Sequence, residues 1–72
     1  MTKYYVGYKQ GNDEYVYVSG VDTTVRVTTI LEGAIAFNNV ELAKSLVEIA
    51  KTIVTNQAYV VLEITTEIKE VK

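Results

Sequence analysis

Carboxylates, lysines and tyrosines are the only side chains left to carry catalysis in this 72-residue chain, which has no histidine and no cysteine. Asp13 and Glu14 adjoin each other, and Glu63, Glu67 and Glu70 follow one another late in the chain. Paired carboxylates do acid–base work when burial or a neighbouring charge moves one pKa away from the other. No apolar pocket is evident around either set, and no glycine-rich phosphate loop lies nearby, so both read as solubilising surface charge. The run GNDEY (11–15) offers oxygen ligands without the EF-hand spacing. Lacking imidazole and thiol, the chain has no zinc-finger ligand set and no Cys-His or Ser-His-Asp nucleophile system. We therefore expect no catalytic residue, no metal site and no cofactor, and a protein that is not an enzyme.

The other side chains with something to offer are aromatic. Five of the six tyrosines fall within YYVGYKQGNDEYVYVSG, residues 4 to 20. Two runs of alternating aromatic and β-branched residues, 3–9 and 14–19, flank Gln10-Gly11-Asn12-Asp13, which is turn chemistry, so the stretch reads as a β-hairpin. A two- or four-residue loop sets Lys9 opposite Glu14, an opposite-charge cross-strand pair. In that register Tyr4, Val6 and Tyr8 share a face with Tyr15, Tyr17 and Ser19, while Tyr5, Gly7, Val16 and Val18 take the other. A slip of one residue would exchange these sets.

Residues 23–30, rich in threonine and valine, predict a third strand. ILEGAIAF (30–37) has no clear period; Glu32-Gly33 reads as a bend and residues 34–37 as a buried approach to a helix. The helix is expected over about residues 39–55, with Asn38 as N-cap, Glu41 in the capping-box position and Asn56 closing the C-terminal end. At about 100° per residue, Glu41, Lys44, Ser45, Glu48, Lys51, Thr52 and Thr55 form one polar arc. Val40, Leu42, Ala43, Leu46, Val47, Ile49, Ala50, Ile53 and Val54 fill the opposite half turn. AYVVLEITTEIKEV (58–71) reads as one long last strand, with Val60, Leu62, Ile64 and Ile68 on one side and Tyr59, Val61 and Glu63 on the other. The expected architecture is a single α+β domain over residues 1–72, a two-layer sandwich of order β-β-β-α-β, with one helix on a mostly antiparallel sheet of three or four strands.

One helix covers one face of such a sheet. The aliphatic set Val16, Val18, Val60, Leu62 and Ile64 is the natural seat for it, with Gly7 permitting close approach. This leaves Tyr4, Val6, Tyr8, Tyr15, Tyr17, Tyr59 and Val61 uncovered. Tyr4, Tyr8, Tyr15, Tyr17, Tyr59 and Val61 are thus the candidate interaction surface, because contiguous aromatic patches are uncommon on monomers and tyrosine is enriched at interface hot spots. The helix's apolar arc is also wider than one sheet requires, which marks its flank, Val40, Val47 and Val54, as a second candidate interface. A chain this short, without disulfide or metal, has oligomerisation as its remaining means of enlarging the core, so a homodimer is expected.

The formal net charge of −2 is spread along the chain without runs. That argues against nucleic acid as a partner, although aromatic rings on a sheet face can stack bases, which keeps a nucleic-acid or nucleotide-like ligand as the alternative. No apolar run is long enough to cross a membrane, and MTKYYVGYKQG has no signal-peptide core, so a soluble cytoplasmic protein is expected.

The run AIAFNNVELAKSLVEIAK (34–51), with a strand ending at Phe37, an Asn cap and then Ala43-Lys44, resembles the strand-to-helix step of many small uncharacterised proteins of bacteriophages and prophages of Gram-positive bacteria. TKYYVGYK followed by EYVYVSG has the same look. The resemblance spans most of the chain by architecture and contains no signature residue. It implies an accessory protein acting by binding, often against a host protein.

Overall fold

The computed structural model describes residues 1–71. Strands β1 (Lys3–Gln10), β2 (Glu14–Val21) and β3 (Val25–Thr28) precede helix α1 (Val40–Ile53), and β4 (Val60–Ile64) and β5 (Ile68–Val71) follow it. They form one antiparallel sheet in the order β3-β2-β1-β4-β5. The α+β architecture is as expected, with five strands where three or four were counted. The extra strand arises because residues 58–71 fold back on themselves: Thr65, Thr66 and Glu67 make a turn, and Ile68 pairs with Ile64. Thr66, which interrupts the apolar alternation, sits in that turn.

The first hairpin differs from expectation in a way that decides the core. Its loop is Gly11-Asn12-Asp13, and Gln10 stands opposite Glu14. Gly11 (φ 57°) and Asp13 (φ 64°) both occupy the left-handed region, and Asp13 N–H donates to the Gly11 carbonyl at 2.9 Å. Glycine adopts that conformation freely, and aspartate tolerates it better than most side chains. An odd loop length shifts the register by one residue relative to an even one, so each β2 side chain moves to the opposite face. Lys9 therefore pairs with Tyr15 and Gly7 with Tyr17.

In this register Tyr4, Val6 and Tyr8 share a face with Val16, Val18, Tyr59 and Val61, and α1 packs there. Ala43 and Ala50 are fully buried and Val47 nearly so, against Val6, Val18, Tyr59 and Val61. Two alanines on the contact line bring the helix axis close to β1 and β4, and the Tyr8 and Tyr59 rings meet edge to face at 5.6 Å beside it. The expectation that the helix covers Val60, Leu62 and Ile64 is thus corrected: those residues lie on the far face, as does Gly7. Of the expected aliphatic seat only Val16 and Val18 lie on the helix side of the sheet, and Val18 joins the cluster beneath α1.

The far face is not bare. Tyr5, Tyr17 and the fully buried Leu62 form a second cluster there, roofed by Leu31 and Ala34. Leu31 begins a single 3-10 turn, Leu31–Gly33. Beyond Gly7 and Tyr17 the strands β1 and β2 part, and residues 35–37 fill the gap. Ile35 N–H donates to the Val18 carbonyl at 3.1 Å, and Tyr4 and Phe37 exchange two backbone bonds of 2.8 Å. Ile35 and Phe37 then pack on the helix side. The connection between β3 and α1 therefore covers the far face, passes through the split in the sheet and emerges under the helix.

Helix α1 begins one residue later than expected. Its N-cap is Asn39, whose Oδ1 accepts from Glu41 N–H at 2.7 Å, so Glu41 stands too early for a capping box. Asn38 instead accepts a hydrogen bond from Lys3 Nζ. The helix stops at Ile53, where Val54 turns extended, before Asn56 is reached.

Candidate functional site

The expected aromatic surface does not exist as one face. Tyr59 and Val61 are buried beneath α1, with Tyr4 and Tyr8 half-buried around them, whereas Tyr17 is buried on the opposite side with Tyr15 at its edge. The structure brings Tyr4, Tyr8, Tyr59 and Val61 together, and separates Tyr15 and Tyr17 from them by the thickness of the sheet. Tyr5 and Tyr17 rings lie 6.1 Å apart. Burial pushes the phenols of Tyr17 and Tyr59 up from the ordinary value, as expected of rings held in a core. Tyr15 donates its hydroxyl to Glu70 at 2.9 Å, which raises its pKa chiefly by stabilising the neutral phenol. That bond ties β2 to β5 across the far face.

The carboxylates are dispersed. Asp13 pairs with Lys9 at 3.4 Å, Glu14 is exposed opposite Gln10, Glu63 stands opposite Lys69, and Glu67 lies in the last turn. Among the described residues no three acidic side chains converge as a metal ion would need.

The second candidate interface is also corrected. Val47 is buried and Val40 packs half-buried against the core, because the two lie within about 20° of one line on the helix, at about 100° per residue, next to Ala43 and Ala50, and Val54, just past the helix end, packs half-buried there too. The apolar arc is wide, as read from the sequence, but its centre is the contact and its flank is free. That flank is Leu42, Leu46, Ile49 and Ile53. Leu42 is 56% and Ile49 51% exposed, with Leu46 and Ile53 half-buried along the inner edge. The spacing 4-3-4 is the a/d pattern of a helix-pairing seam. It is legible in the sequence once Ala43 and Ala50 are recognised as the line of closest approach.

The flank carries no charge. Ser45 and Thr52 border it on the solvent side, with their hydroxyls turned onto the helix's own carbonyls of Glu41 (3.1 Å) and Ile49 (2.6 Å). Glu41, Lys44, Glu48 and Lys51 occupy the other side of the helix, where with Val47, Tyr59, Val61 and Val71 they line a shallow groove of about 450 Å³ over β4 and β5. No helix is long and apolar enough to cross a membrane among the described residues.

Comparison of the chain with protein-family models, with curated proteins and with solved structures returned no match.

Proposed function

We propose that this is a non-enzymatic accessory protein that works by protein–protein contact, and that two copies pair through the exposed flank of α1. The observation that carries this reading is the uncharged stripe Leu42, Leu46, Ile49 and Ile53 on a domain whose other large apolar clusters are covered on both sides of the sheet. A 4-3-4 pattern reads the same in both directions, so a two-fold axis between Leu46 and Ile49 sets Leu42 against Ile53 of the second copy and Leu46 against Ile49. Ser45 and Thr52 then face one another as neutral groups, and no like charges meet. A helix of 14 residues spans about 21 Å, which makes this a small seam and the pairing a weak, reversible one.

The resemblance of residues 34–51 to phage and prophage proteins supports a host protein as the further partner, and a chain without cysteine is at ease in a reducing cytoplasm. The nucleotide-binding alternative drew on one open face of Tyr4, Tyr8, Tyr15, Tyr17 and Tyr59; the burial of Tyr17 and Tyr59 weighs against it.

Sedimentation of the wild type and of Leu42→Glu/Ile49→Glu over rising concentration tests the pairing. The wild type is expected to move from 8.0 kDa towards twice that mass, and the variant to stay monomeric with its fold intact. A wild type that remains monomeric at millimolar concentration, or a variant that still pairs, overturns it.

A further inference from the structure

The two faces of the sheet are closed in different ways. On one side α1 lays Ala43, Val47 and Ala50 into the core. On the other, the roof over Tyr5, Tyr17 and Leu62 is the connection that follows β3, and of its residues 29–34 only Leu31 and Ala34 turn inward. We propose that residues 29–34 are a lid, which lifts from the far face as a unit and bares the rings of Tyr17 and Tyr5 while the rest of the fold stays in place.

The feet of this arch straddle β2. Thr28, the last residue of β3, stands opposite Tyr17 on one side of that strand; on the other side Ile35 N–H donates to the Val18 carbonyl at 3.1 Å. Tyr17 points to the far face between the two feet and so lies beneath the arch. Feet one strand to either side of β2 are about 9.5 Å apart, twice the strand spacing. The seven chain steps from Thr28 to Ile35 reach about 24 Å when extended. The 3-10 turn Leu31–Gly33 takes up the difference, so the arch has the length to rise without moving either foot.

Little holds the arch down. Among the described residues its backbone makes one hydrogen bond to the sheet, from Ile30 N–H to Thr28 Oγ1 at 3.0 Å, and that bond lies at the foot. The bonds from Gly33 N–H to the Ile30 carbonyl and from Ala34 N–H to the Leu31 carbonyl, both 3.0 Å, are internal to the turn and travel with it. Glu32, the one charge on the arch, is in no ion pair among the described residues. Thr29, Ile30, Glu32 and Gly33 face solvent. The chain beyond the second foot is held far better, since Phe37 and Tyr4 exchange two backbone bonds of 2.8 Å. A segment with few buried contacts and few bonds to its neighbours opens at a lower free energy than the whole domain unfolds.

Nitration by limiting tetranitromethane, mapped by mass spectrometry across sub-denaturing urea, tests the lid. Tyr59 is the internal control, because it is buried as deeply as Tyr17 but beneath α1. Tyr17 is expected to react at least about tenfold faster than Tyr59 and with little dependence on urea, since lifting the arch exposes little surface, whereas Tyr59 should show the steep dependence of global unfolding. Leu31→Ala should speed the reaction of Tyr17 several-fold, and the milder Leu31→Val should act in the same direction. In amide exchange Ile35 and Phe37 should keep the protection of the core. A Tyr17 rate equal to that of Tyr59 at every urea concentration overturns the proposal, because the far face then opens only with the whole fold. A rate that both Leu31 variants leave unchanged overturns it too, because the ring is then reached without the lid. So does loss of protection at Ile35 and Phe37 in step with Tyr17, which means that the entire connection leaves the sheet. The readout lies on the face opposite α1 and is independent of the pairing of copies.

Discussion

Gly7 stands opposite Tyr17 in the ladder between β1 and β2, and a Cβ placed on Gly7 would lie 2.2 Å from the carbonyl oxygen of Val16 and 3.2 Å from Leu62 Cδ1. The pair sits where the two strands part to admit residues 35–37, and the close approach of backbone to backbone at that point is what only glycine allows. Because the obstacle is a main-chain oxygen, no side-chain rotation relieves it.

Gly7→Ala is expected to destabilise the fold by about 2 kcal/mol or more, measured by urea unfolding. Gly33→Ala, whose new Cβ would meet nothing nearer than Thr28 at 3.7 Å, should stay within about 0.5 kcal/mol of wild type. If the two variants are equally stable, the split between β1 and β2 is not as tight as described.

The N-cap offers a sharper discrimination between neighbours. Asn39→Ala removes the acceptor for Glu41 N–H and should cost about 1 kcal/mol, with loss of helical signal at the start of α1. Asn38→Ala removes an exposed bond to Lys3 and should cost a few tenths of a kcal/mol, about what an exposed contact to a charged side chain contributes. The reverse ranking would return the cap to Asn38.

Alkaline pH should unfold the protein through its buried phenols. Tyr17 and Tyr59 are raised by burial, and Tyr15 by its hydrogen bond to Glu70. A raised acid favours the folded state only while it is protonated. This contribution is therefore complete below about pH 10, where an unfolded tyrosine ionises, and is lost as pH rises through the raised values. Thermal midpoints should be level up to about pH 9 and fall steeply beyond about pH 10, with Tyr17→Phe falling less steeply. A wild-type midpoint that is flat across that interval would contradict the burial of these rings.

Local physics made much of this fold legible. Periodicity placed α1 to within two residues at each end, because a helix declares itself every 3.6 residues whatever it packs on. Strand propensity and the Gln10–Asp13 turn located the first hairpin, and the polar arc from Glu41 to Thr52 is as solvated as its spacing implies. Tertiary structure decided which faces are covered. Alternation in a strand says which residues share a side, but only the pairing register says which sides of two strands coincide, and here a three-residue loop, Gly11-Asn12-Asp13, in place of an even one moved Tyr15 and Tyr17 away from Tyr4 and Tyr8. In the same way the sequence alone determined that the helix has more apolar surface than one sheet can use. Which part is left over depended on the closest line of approach, which Ala43 and Ala50 took because small side chains let two backbones come nearest; Leu42 and Ile49 were thereby turned outward.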